Sequence, residues 1–86
     1  MAKDKFADAE ARVKKLSERP SNDQLLELYA LYKQATVGDV EGARPGMLDL
    51  KGRAKYDAWA RKKGVKSEDA KKKYVALVDK LEKEIG

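Results

Sequence analysis

A chain of 86 residues, 42% hydrophobic and 41% charged, holds enough apolar surface for one small core and not for two. It contains no Cys and no His, which excludes disulfides, Cys/His zinc sites and thiol or imidazole catalysis. The net charge of +5 is uneven: residues 1–43 carry 7 basic and 8 acidic side chains, whereas residues 44–86 carry 13 and 7. Between Lys51 and Lys73, ten Lys or Arg stand against Asp57, Glu68 and Asp69, which points to an anionic partner: nucleic acid, a membrane surface or a phosphorylated metabolite. No run of about 18 apolar residues is present, and the opening Met-Ala-Lys-Asp-Lys places charge where a signal peptide has its apolar stretch. The expected location is cytoplasmic.

The spacing of apolar residues predicts four helices, approximately 4–16, 22–37, 50–63 and 67–85, and no strand-like alternation. In the first, Phe6, Ala9, Val13 and Leu16 recur at steps of three and four, the spacing of one helix face. Pro20 stops it, because the residue before a proline is driven out of helical geometry. Ser21 and Gln24 have the spacing of a capping box, so a second helix starts at Asn22. Leu25, Leu28, Tyr29 and Tyr32 form one of its stripes, and Leu26, Ala30 and Lys33 an adjoining one, with Val37-Gly38 at its end. Two stripes require two packing partners, or one partner and a ligand.

Residues 38–50 read as a loop of about thirteen residues with three Gly and one Pro. Loops of that length inside a small domain are more often functional than idle. A third helix, capped by Asp49, runs through Ala54, Tyr56, Ala58 and Trp59 to a stop at Gly64. Ser67 is the expected cap of the fourth, whose stripe is Ala70, Tyr74, Leu77, Val78, Leu81 and Ile85. The fold class this predicts is an all-α bundle.

Two constellations bear on chemistry. Tyr29, Tyr32 and Lys33 share a ridge, and two phenols beside an ammonium can hydrogen-bond a phosphate and stack on a heteroaromatic base. The competing reading, favoured by periodicity alone, is a core stripe with a snorkelling lysine. Lys51 and Lys55 share a face at the start of the third helix, where free amides and the helix dipole also favour an anion; the alternative is a solvated basic face. Arg61-Lys62-Lys63 and Lys71-Lys72-Lys73 read as solvated faces. Ser17, Ser21 and Ser67 lie at helix ends, where capping accounts for them, and they lack an activating base, so no enzyme is expected.

The segments YKQATVGD at 32–39, RPGMLD at 44–49 and KGRAKYDAW at 51–59, with Lys63-Gly64 and Tyr74, resemble the acyl-CoA-binding protein family, also called the diazepam-binding inhibitor family, along the whole chain. The resemblance implies a single domain over 1–86, a four-helix up-down-down-up bundle that carries a medium- to long-chain fatty acyl-CoA thioester without turning it over. It implies that Tyr29, Lys33 and Lys55 hold the 3′-phosphate, that Tyr32 and Tyr74 contact adenine and ribose, and that Lys14 lies at the edge of the site. Leu25, Leu26 and the loop through Met47 would border the acyl chain, with Lys51 beside it. No cofactor or metal is implied; the expected partners are acyl-CoA itself, with transient contacts to membranes or acyl-CoA-using enzymes, and the expected state is a monomer. Tyr56, Glu41 and Arg53 depart from the family's usual Trp, Asn and Lys.

Charge and ligand chemistry agree with that resemblance. Coenzyme A bears about four negative charges, and each methylene of an acyl chain removed from water contributes up to about 0.8 kcal/mol. The rival from another class is a basic helical nucleic-acid-binding module, an HMG-box-like protein. Against it, the tyrosines are set for a single nucleotide and no apolar wedge accompanies a basic arm.

Overall fold

The computed structural model describes residues 4–85, which form helices α1 (Lys5–Val13), α2 (Asn22–Thr36), α3 (Leu50–Ala60) and α4 (Ser67–Ile85), with no strand among them. Each of the first three helices begins at a side chain that replaces a missing amide partner. Asp4 accepts from the amides of Phe6 and Ala7, Asp49 accepts from that of Gly52, and Ser21 and Gln24 complete the reciprocal capping box. Gly38 and Gly64, at the exits of α2 and α3, have φ of 99° and 89°, the left-handed region that glycine enters without a Cβ clash.

Three expectations need correction. The first helix ends at Val13 rather than Leu16, because its final turn tightens: the amides of Lys15 and Leu16 bond three residues back, to Arg12 and Val13. The third ends at Ala60 rather than Lys63 for the same reason, with Lys62 bonding back to Trp59 and Lys63 to Ala60. Ser67 does not cap α4. It is the helix's first residue, and its hydroxyl donates instead to the carbonyl of Ala35 at 2.6 Å, tying α4 to the end of α2.

Helix α4 packs against both α1 and α2, and α3 packs on the far side of α2. The core lies where α1, α2 and α4 meet: Ala9, Leu31, Ala70, Val78 and Leu81 are fully or almost fully buried, with Phe6, Leu28 and Tyr74 around them. Arg12, braced by Asp8 on its own helix, pins α1 to α4 from outside by pairing with Asp79 and Glu82, and Asp79 with Glu82 holds its guanidinium above the usual arginine range. Helix α3 contributes one buried residue, Ala58. The Cα trace extends 40 × 29 × 15 Å, a flattened shape about two packed helices deep. A shape that flat cannot close over every helix face, and α2 keeps surface free on both of its flanks.

Residues 38–49 lie along α3, held there by its polar side chains. Arg44 forms a two-pronged bond to Asp57 at 2.9 and 2.7 Å, Tyr56 donates to the carbonyl of Gly42 at 2.9 Å, and the Trp59 indole donates to that of Gly38 at 2.8 Å. Asp39 accepts from the Gly64 amide and from the buried Gln34 carboxamide, both at 2.8 Å. Those donors hold its carboxyl below the usual aspartate range, as Arg44 does for Asp57. The hydroxyl of Tyr56, one of the departures noted above, thus has a structural task; nothing in the structure explains Glu41.

Candidate ligand-binding site

Two open cavities flank α2 and share Leu25 and Tyr29 as the ridge between them. The first, of about 500 Å³, is lined by Glu10, Val13 and Lys14 of α1 and its tail, Pro20, Leu25, Leu28, Tyr29 and Tyr32 near or on α2, and Tyr74 of α4. The second, of about 540 Å³, lies between α2 and α3 and is lined by Arg19, Asn22, Leu25, Leu26, Tyr29, Leu50, Lys51, Ala54 and Lys55. One is walled by phenol rings, the other by aliphatic side chains with cations at the rim.

The ridge gathers positive charge. Lys55 Nζ lies 5.4 Å from the centre of the Tyr29 ring and Lys33 Nζ lies 5.9 Å from it, so two ammonium groups converge on one phenol, each within cation–π reach. Trp59 offers Lys33 a second ring at 5.7 Å. Its indole is oriented by the bond to Gly38, and Lys33 is half-buried rather than extended into water. A phosphate monoester is an anion that two such ammonium groups can hold, and Tyr29 adds a hydroxyl donor between them and the cavities.

Tyr32 and Tyr74 belong to an aromatic cluster with Phe6: Phe6 stacks on Tyr32 at 5.8 Å and meets Tyr74 edge-on at 5.0 Å. The two tyrosine rings lie 6.3 Å apart, inclined by 53°. Tyr74 is buried, which raises its hydroxyl pKa, with a further push from the Glu10 carboxylate. Both tyrosines serve as core and as cavity wall at once, so the two readings of this stripe describe the same residues.

Of the residues predicted for the site, Lys14, Tyr29, Tyr32 and Tyr74 meet at the first cavity, while Leu25, Leu26, Tyr29, Lys51 and Lys55 meet at the second, and Lys33 joins through Tyr29. Met47 stands apart: it lines neither cavity and is 78% exposed. The anion site expected at the start of α3 is also altered. Asp49 already occupies the Gly52 amide, so its own negative charge sits where an anion would bind. The basic run at 61–63 is not wholly solvated either, since Lys62 pairs with Glu27 of α2 at 2.6 Å. Sequence reasoning missed Glu10, Arg19, Asn22, Leu50 and Trp59. Glu10 was accessible to helix arithmetic, standing four residues before Lys14 on the same face.

The family profile for acyl-CoA-binding protein matches residues 3–78. The chain belongs to the acyl-CoA-binding protein family. It is 60% identical over 76 residues to acyl-CoA-binding protein homolog 1 of Caenorhabditis elegans, covering 88% of each chain. It is 53% identical over 76 residues to the acyl-CoA-binding protein of Saccharomyces cerevisiae, covering 88% of this chain and 87% of the yeast protein. Its fold superposes on the crystal structure of Oryza sativa acyl-CoA-binding protein 2 with a TM-score of 0.88 at 42% identity, over 93% of this chain and 89% of the rice protein. The four-helix arrangement, with no strand among the described residues, is therefore the acyl-CoA-binding protein fold. No helix among the described residues is long and apolar enough to cross a membrane.

Proposed function

We propose that this member of the acyl-CoA-binding protein family binds, sequesters and carries medium- to long-chain fatty acyl-CoA thioesters in the cytoplasm as a monomer, without hydrolysing them. The observation that carries this reading is the ridge at Tyr29, with an aromatic cavity on one side, an aliphatic cavity on the other, and two lysine ammonium groups converging on its ring. A ligand made of a base, a phosphate and a hydrocarbon chain needs those three surroundings in contact. Lys33, Lys55 and Tyr29 take the 3′-phosphate. Tyr32 and Tyr74, with Lys14 at the rim, take the base and ribose. Leu25 and Leu26 with Leu50 and Ala54 line the groove for the first part of the acyl chain, and Lys51 stands at its edge.

Burying a long chain adds several kcal/mol at about 0.8 kcal/mol per methylene, so the ester binds tighter than the headgroup alone. Among the described residues no group of His, Cys, Asp or Glu is arranged to hold a metal ion, and the reading requires none. Met47 and Leu48, 78% and 100% exposed, sit beside the second cavity's Leu50 in sequence and offer apolar contact to a donor membrane while acyl-CoA is collected. Replacing Tyr29 or Lys55 by Ala is expected to weaken palmitoyl-CoA binding at least about tenfold, a change of roughly 1.4 kcal/mol, with helix content unchanged. Retained affinity in both variants, measured by calorimetry, contradicts the assignment of these side chains.

A further inference from the structure

The first cavity contains a contradiction. It is lined by Lys14 and by phenol hydroxyl donors, as a cavity for an anionic ligand should be, yet Glu10 also lines it. Glu10 stands outside the ion-pair network on the same helix, where Arg12 pairs with Asp8, Asp79 and Glu82. Its field reaches into the cavity, since it contributes to raising the Tyr74 hydroxyl after burial itself. An ionised carboxylate can only accept hydrogen bonds, and beside a phosphate it would repel. The part of the ligand that faces Glu10 must therefore be an uncharged donor.

A heteroaromatic base supplies one. Between the Tyr32 and Tyr74 rings of this cavity and the ridge at Tyr29, Glu10 presents an acceptor and Lys14, one helical turn later on the same face, presents a donor. An acceptor beside a donor is the complement of an amino group next to a ring nitrogen, the edge of a 6-aminopurine. A 6-oxopurine turns a carbonyl oxygen toward the carboxylate and fails that match. We propose that Glu10 is a specificity-determining residue that reads the exocyclic amino group of the ligand's purine and rejects the oxo analogue. This rests on the acyl-CoA reading above and adds to it a source of base selectivity.

The test compares palmitoyl-CoA with the same thioester carrying hypoxanthine in place of adenine, by calorimetry on the whole protein. The native chain is expected to prefer the adenine form by at least about tenfold, the scale of one hydrogen bond to a charged group. In Glu10→Gln the carboxamide can rotate to donate or accept, and in Glu10→Ala the acceptor is gone; in both, the ratio should fall to within about twofold. The ratio is the readout because removing a negative charge strengthens phosphate contacts for both ligands equally, and a merely structural role would leave the ratio alone. Equal binding of the two thioesters by the native chain, or a ratio that survives in both variants, overturns the assignment of Glu10 alone. Failure of palmitoyl-CoA itself to bind overturns the acyl-CoA reading and this inference with it.

Discussion

The two flanks of α2 are held by different physics. Toward α4 and α1 the contact is apolar: Leu31, Val78 and Leu81 are at most 2% exposed, and Phe6, Tyr32 and Tyr74 close the cluster above them. Toward α3 the contact is looser, around an open groove lined by Leu25, Leu26, Leu50 and Ala54. One residue of α3 is buried; Lys62, just past its end, pairs with Glu27 of α2, and the 38–49 loop is fastened onto α3 by Arg44 to Asp57, Tyr56 to Gly42 and Trp59 to Gly38. Apolar burial is indifferent to pH and dominates the free energy, whereas exposed ion pairs are individually weak and depend on the carboxylate staying ionised. The first flank therefore sets stability, and the second sets where Lys55, Lys33 and the loop stand relative to Tyr29.

The largest effect that can break this comparison is a truncation in the apolar flank. Leu81→Ala removes a fully buried side chain and should cost about 2–5 kcal/mol, read from the urea midpoint, while Lys62→Ala, which breaks the pair with Glu27 across the other flank, should move the midpoint far less. Equal losses would mean that α3 is not the weakly held side. Smaller is Trp59→Phe, which keeps an aromatic surface beside Lys33 but strips the donor from the Gly38 carbonyl. It should cost about 1 kcal/mol and weaken palmitoyl-CoA binding by a few-fold through Lys33. An unchanged affinity would show that the indole does not position that lysine.

The subtlest effect is on pH. Asp39 and Asp57 have folded-state pKa values held below the ordinary aspartate value of 3.8. The unfolded chain therefore takes up their protons first, so the stability they confer is complete well above pH 3.8 and is lost as the pH falls below it toward their lowered values. Because Trp59 is the only tryptophan and bonds the residue before Asp39, its fluorescence reports on this loop. Its emission should shift in that acid range before the helix signal in circular dichroism falls. Simultaneous loss of the two signals would place loop and core in one cooperative unit.

How much of this was legible in the sequence follows the same division. The four helices were, because apolar periodicity and the caps at Ser21 and Asp49 are local, and their partners lie within a few residues. The polar fastenings were not. Ser67 was read as a cap because its true partner, Ala35, is 32 residues away, and Lys62 was read as solvated because Glu27 is 35 residues away. The candidate site was legible as a set of residue types, Tyr29, Tyr32, Lys33, Lys55 and Tyr74. Its division into two cavities was not, since that depends on α1 and α3 lying on opposite flanks of the α2–α4 pair. Met47 lines neither cavity, since motif position says nothing of which way a loop faces, and Glu10 lies outside the motifs that carry the resemblance.

The central claim is that one ridge couples a phosphate clamp to an apolar groove, and calorimetry with palmitoyl-CoA, free CoA and palmitate tests it most directly. The account predicts tight binding of the thioester, weak binding of CoA and none of the free acid, because the groove adds affinity only once the headgroup is seated. Binding of palmitate as tight as that of palmitoyl-CoA would contradict it.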